Sequence, residues 1–198
     1  MRRLLKILTS LTLIAILIVG NTLEAKAASK PTTYLIECPK ALVNLGKELG
    51  MVKSTTTVEE FNVGQLASHD FISKLCYAAV NGKTTTAKRA REFVFDQYFD
   101  AVMKDTSLAG RLLADGTEGK YTKYSSTGMA SYAWAGTTVS MVKFQGYGDK
   151  AWEDKLTDLR TTVRNSWKSY RTGKKMTRIE ALHFVIEAFY DDIVIDVR

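Results

Sequence analysis

Four sets of residues in this chain carry side chains that could do chemistry. His69 and Asp70 are adjacent, with Asp96 further on. An imidazole can take a proton from water, one carboxylate can orient it, and another can hold a hard cation such as calcium. Cys38 and Cys76 are the only two cysteines, and a thiol can pair, ligate a metal or attack a substrate. Arg160, Arg164, Lys168 and Arg171 follow at steps of four, four and three, which on a helix makes one cationic row. Lys174, Lys175 and Arg178 extend it beyond Gly173. Lastly, Lys120-Tyr121 and Lys123-Tyr124 mix cations with aromatics between flanking glycines and serines, a composition suited to sugars, lipid headgroups or an acidic protein patch, and equally to a solvated loop.

The run His69-Asp70-Phe71 is similar to the active-site helix of secreted bacterial and fungal phospholipases A2, and Asp96-Gln97-Tyr98-Phe99 with Met103 to that family's second helix. The resemblance spans about 35 residues. It implies a calcium-dependent lipid hydrolase in which His69 is the general base, Asp96 its partner and Asp70 a calcium ligand. The chain departs from the family at Ile72-Ser73, where the family has Gly-Tyr, and lacks both a cysteine shortly before His69 and a glycine-rich loop upstream. Read without the family, His69 and Asp70 are polar first-turn residues, Asp70 being favoured by the helix dipole. His183 falls beside the apolar stripe of the last helix, the place of a satisfied flanking histidine. Two histidines far apart do not make a structural zinc site. There is no phosphate loop, Gly-x-Ser-x-Gly elbow or dinucleotide fingerprint.

The first residues place Arg2, Arg3 and Lys6 ahead of an apolar run of 14, Ile7 to Gly20, followed by Ala25-Lys26-Ala27. This is the three-part pattern of a signal peptide, residues 1–27, cut after Ala27. The run is short of the roughly 20 residues a membrane span needs. The net charge of +7 comes from 28 basic and 21 acidic residues; four of the former and one of the latter lie in this segment, leaving 24 against 20, or +4, on residues 28–198. That balance attracts anionic surfaces weakly and does not announce a nucleic-acid binder. In an oxidising compartment Cys38 and Cys76 have one intramolecular pairing open to them, which by chain entropy would stabilise the fold by about 4 kcal/mol.

Cap residues and apolar spacing predict the elements that carry these residues. Pro39 opens a helix to about 49, Thr56-Thr57-Val58-Glu59-Glu60 a short capped turn, and Ser68 a helix closed by Asn81-Gly82. Thr84-Thr85-Thr86 opens a segment to about 104 with an apolar face wide enough for a central helix. Residues 127–143 read as a helix despite the strand-forming residues from Thr137 to Phe144. Asp149 caps a helix over about 150–172 with Trp152, Leu156, Leu159, Val163, Trp167 and Tyr170 inward. Thr177-Arg178-Ile179-Glu180 caps the last, with Ile179, Leu182, Ile186, Phe189 and Ile193 inward. No internal repeat or linker divides the chain.

The expectation is therefore an all-α fold, one exported domain of about six main helices behind the signal peptide. It is periplasmic or secreted, has no retained span and uses no cofactor. Its general plan resembles small periplasmic helical proteins with one disulfide, such as acid-stress chaperones and immunity proteins. The function expected is binding of a protein or an anionic envelope component through the basic row and the Lys120–Tyr124 loop, with the phospholipase reading as the alternative. N-terminal sequencing of the exported protein is expected to begin at Ala28; an intact Met1 in the membrane fraction would show a retained anchor instead.

Overall fold

The computed structural model describes residues 30–96, 128–171 and 174–198, apart from the side chain of Asp96. The chain divides into two units, Met1–Pro31 and Thr32–Arg198, and every element named below belongs to the second. Strand β1 (Thr32–Ile36) leads into α1 (Pro39–Glu48), the single turn α2 (Val58–Phe61), α3 (His69–Asn81) and α4 (Ala87–Arg91), which widens into a π-turn over Glu92–Asp96. Further along are α5 (Tyr132–Phe144), α6 (Lys150–Ser166), α7 (Arg178–Phe189) and strand β2 (Ile193–Val197). The described fold is mostly helical, as the sequence predicts.

Most helices begin where the sequence supplies a cap. Thr57 and Thr177 make capping boxes with Glu60 and Glu180. Ser68, Thr86, Ser131 and Asp149 each accept the backbone N–H three residues on, satisfying donors the helix itself cannot. At the other end, Gly50 and Gly82 take left-handed backbone (φ 70° and 66°) after α1 and α3. A Cβ on Gly50 would lie 2.9 Å from the Gly82 carbonyl carbon and closer still to its oxygen, so two helix ends meet at a point only glycine admits. The strand-forming residues of α5 stay helical because the helix is buried from Trp134 to Val142. The hydroxyls of Thr137 and Thr138 donate to the carbonyls of Ala133 and Trp134, both at 3.0 Å, so burial leaves neither hydroxyl without an acceptor.

Among the described residues α7 is enclosed on all sides; of the segment after Thr86 that the sequence puts at the centre, residues 97–104 lie outside the described residues. Helices α1, α3, α5 and α6 and strand β2 all pack on it. Ile179, Leu182, Phe184, Val185 and Ile186 are fully buried, and so are Glu180 and His183. Glu180 and the Nδ1 of His183 have hydrogen-bond partners. Trp167 Nε1 donates to His183 Nδ1 at 2.9 Å, which leaves the proton on Nε2, 3.5 Å from Glu187 Oε1. That same carboxylate oxygen accepts the Ile195 N–H of β2. One chain of polar contacts thus ties α6, α7 and β2 together. Lys143 Nζ donates to the Ala188 carbonyl at 2.9 Å and to Asp191 at 3.1 Å, anchoring the end of α7 to α5. Burial pushes the Asp191 carboxyl up, but the hydrogen bonds and charges of Lys155 and Lys143 outweigh it and hold the group below its ordinary range.

Three segments that the sequence does not relate to one another close the fold. Ala67 N–H donates to Met176 O (2.8 Å), Met176 N–H to Ala130 O (2.9 Å), and Ala130 N–H to Ala67 O (2.8 Å). All three residues are fully buried. Each immediately precedes the cap of a helix, Ser68, Ser131 or Thr177, so the N-termini of α3, α5 and α7 start from one three-membered ring. Buried peptide groups need partners, and here each residue donates its N–H to one neighbour in the ring and accepts at its C=O from the other.

Three further features depart from expectation. The fold is not purely helical: β1 and β2 pair in parallel, Thr32 beside Ile193 through Ile36 beside Val197. Ile193 fits the three-and-four spacing of α7, but equally the alternation Ile193, Ile195, Val197 of a strand face. The strand prevails because Tyr190 leaves helical backbone (φ −104°, ψ 90°) and Thr32–Ile36 offers a partner from the far end of the chain. Helix α6 stops at Ser166, short of 172, with Trp167 as its C-cap.

The Cys38–Cys76 bridge is not formed, and both thiols are free. Cys38 is exposed on extended backbone just before α1 (φ −156°, ψ 157°), whereas Cys76 is on the inner face of α3 with no exposed surface. Burial pushes the Cys76 thiol far above its ordinary range, keeping it protonated and inert. A thiol reagent is therefore expected to label one cysteine, Cys38, in the native protein and two in denaturant; no labelling in denaturant without a reductant would restore the bridge.

Candidate functional site

Where the antiparallel bridge between Ser131 and Lys175 meets α6, a cleft of about 540 Å³ opens. Tyr132 and Ala133 come from the first turn of α5, Arg160 and Arg164 from α6, and Lys174 and Lys175 from the segment leading to α7. Four cations from two stretches of chain therefore share one concave surface. Among the described residues lining it, none is acidic.

The cleft's floor and rim are held differently. Arg160 is half-buried, and its guanidinium lies against Gly136 of α5: a Cβ there would sit 3.0 Å from Cζ and closer still to Nη2. Arg164 is exposed, and its carbonyl, near the end of α6, accepts a hydrogen bond from Arg171 Nη1. Tyr132 donates its hydroxyl to Glu180 Oε1 at 2.6 Å. The other oxygen of Glu180 takes Thr177 N–H at 2.6 Å and Thr177 Oγ1–H at 2.8 Å. This carboxylate, fully buried, is committed to three donors. Burial first, and then Glu180, push the Tyr132 phenol far above its ordinary range against a smaller pull from Arg171. Tyr132 therefore remains a donor.

Of the cationic row read from the sequence, the structure gathers part. Arg160 and Arg164 line the cleft with Lys174 and Lys175. Lys168 and Arg171 lie beyond the end of α6, so the helical row is broken; Lys168 is exposed outside the cleft, and Arg171 reaches back to Arg164 and Tyr132. Arg178 turns away altogether, donating Nη1 to the Phe61 carbonyl at 3.0 Å and stacking 5.3 Å over the Phe71 ring. Lys120, Tyr121, Lys123 and Tyr124 lie outside the described residues.

The residues of the alternative reading stand elsewhere. His69 is fully buried, its ring stacked on Trp134 at 4.0 Å and 14°. No edge of it reaches solvent. Asp70 faces Arg91 Nε at 3.5 Å; burial raises its carboxyl above the ordinary value, with Arg91 and Lys74 pulling part of the way back. The side chain of Asp96 lies outside the description. No group of three metal-ligating side chains occurs among the described residues.

Compared with protein-family models, with curated proteins and with solved structures, the chain matches none. The site therefore rests on its own geometry. Gly136 and Tyr132 were missed from sequence because a glycine in a helix and a tyrosine in a first turn signal nothing until the facing element is known. Replacing Tyr132 by Phe is expected to leave a buried carboxylate oxygen without its donor. The cost is about 1.5–3 kcal/mol, read as a lower denaturant midpoint at unchanged slope.

Proposed function

We propose that the chain is an exported, non-enzymatic helical protein that binds an anionic component of the cell envelope through the cleft of Arg160, Arg164, Lys174 and Lys175. The observation that carries this reading is the cleft itself: cations from α6 and from the segment before α7, with no acid lining it among the described residues. Export is supported by the three-part pattern of residues 1–27. No helix of the described residues is long and apolar enough to cross a membrane.

Sedimentation with anionic phosphatidylglycerol vesicles, against neutral ones, tests this. Arg164→Glu with Lys174→Glu is expected to abolish sedimentation without lowering the melting temperature, both residues being exposed. Lys168→Glu should retain most of it, and added salt should weaken the wild type. Undiminished sedimentation of the folded double variant would remove the cleft from the function. Wild-type binding to an acidic envelope protein but not to vesicles would move the partner to protein.

A further inference from the structure

We infer that the outer edge of β1 pairs with the same edge of a second copy of this chain, antiparallel about a two-fold axis, so that two two-stranded sheets join into one.

The hydrogen-bond register identifies the open edge. Thr32 N–H donates to Asp192 O at 2.7 Å, and Arg198 N–H to Ile36 O at 3.1 Å. Peptide groups alternate sides along a strand, so Thr32, Tyr34 and Ile36 turn theirs toward β2 while Thr33 and Leu35 turn theirs away. On β2 the outward residues are Ile193 and Ile195, whose N–H groups are taken by the Tyr190 carbonyl at 3.1 Å and by Glu187. On β1 no hydrogen bond from any described residue meets the outward groups of Thr33 or Leu35. Both residues are exposed, Leu35 at 46%. The fold closes one edge of the sheet and leaves the other with donors and acceptors facing solvent.

That edge also lacks the usual guards. Edge strands are commonly blunted by charges, bulges or an internal proline. Thr32–Ile36 carries no charge and no proline, and it pairs with β2 in unbroken register.

The occupant is a second copy because the edge complements itself. A two-fold axis through Tyr34 sets Thr33 of each copy opposite Leu35 of the other, and each such pair exchanges two N–H···O bonds. All the outward peptide groups of both strands are then answered. Leu35 also lies across from a Thr33 methyl, a favourable cross-strand pair. In sequence Lys30 precedes the strand and Glu37 follows it; antiparallel pairing brings the preceding flank of one copy to the following flank of the other, so opposite charges come to the same end. An isologous contact of this kind uses up the edge and closes at the dimer.

Sedimentation velocity of the protein as the cell processes it, over a range of concentrations, reads the association, and amide hydrogen exchange reads its place. A monomer–dimer equilibrium is expected. Exchange at the Thr33 and Leu35 amides should slow as concentration rises, while the Tyr34 amide, already bonded to β2, stays slow throughout. Leu35→Pro removes an outward donor without touching the ladder to β2 and is expected to give a monomer. Thr33→Lys with Leu35→Lys sets like charges opposite each other in both pairs and should weaken the dimer roughly tenfold or more. Thr33→Glu with Leu35→Lys sets opposite charges there and should keep it. The altered positions being exposed, each variant should melt as the dilute wild type does.

A wild type that stays monomeric at every concentration would overturn the inference. So would a dimer that the two charged double variants weaken alike, or one that survives Leu35→Pro. Protection of the Thr33 and Leu35 amides in the monomer would mean that the edge is covered within the chain, and association without protection there would put the interface elsewhere; either result overturns the inference and leaves the anion reading of the cleft untouched.

Discussion

The ring of three backbone hydrogen bonds through Ala67, Ala130 and Met176 is the constraint on which the rest of the structure depends. Three helices that start inside a core bring with them peptide groups that water cannot reach, and unpaired groups there would each cost about as much as a lost hydrogen bond. The ring answers all three at once, because each segment gives one donor and one acceptor in turn. Two of its members are alanine, which lets the chains approach. Once the ring is closed, the starting points of α3, α5 and α7 are fixed relative to one another, and the caps Ser68, Ser131 and Thr177 need only set direction.

From that point α7 serves as the spine. Its burial on every side would be expensive for a helix carrying Glu180 and His183, since a buried charge or imidazole needs partners. Glu180 closes its own capping box and reaches Tyr132 on α5; His183 accepts from Trp167 at the end of α6. The polar groups that make α7 costly to bury are the ones that choose its neighbours. Hydrophobic burial is nondirectional, so the register between these helices is set largely by such pairs.

The cationic cleft is a by-product of the same geometry. Lys174 and Lys175 stand beside α5 because Met176 is in the ring, and Arg160 stands opposite because Gly136 leaves it room. Arg178, two residues beyond Met176, is drawn the other way by the Phe61 carbonyl and the Phe71 ring. Proximity in sequence therefore says little about which of these charges act together.

What the sequence determined by itself is local. Caps at Thr57, Ser68, Asp149 and Thr177, the stop at Gly82 and the inward residues of α6 and α7 were legible, because a cap or a 3.6-residue period involves side chains within a turn or two of each other. Only the tertiary structure decided the parallel pairing of Thr32–Ile36 with Ile193–Val197, the separation of Cys38 from Cys76, the burial of His69 against Trp134 and the membership of the cleft. Each depends on residues far apart in the chain. The spacing of Ile193 fitted helix and strand alike, and the tie was broken by a partner at the other end of the chain. Two cysteines in one chain can be counted from sequence, but whether their side chains meet depends on how α1 and α3 face each other. The basic row was readable as charge at helical steps; that it breaks after Ser166 and regroups around Gly136 follows from where α6 must end to place Trp167 on His183.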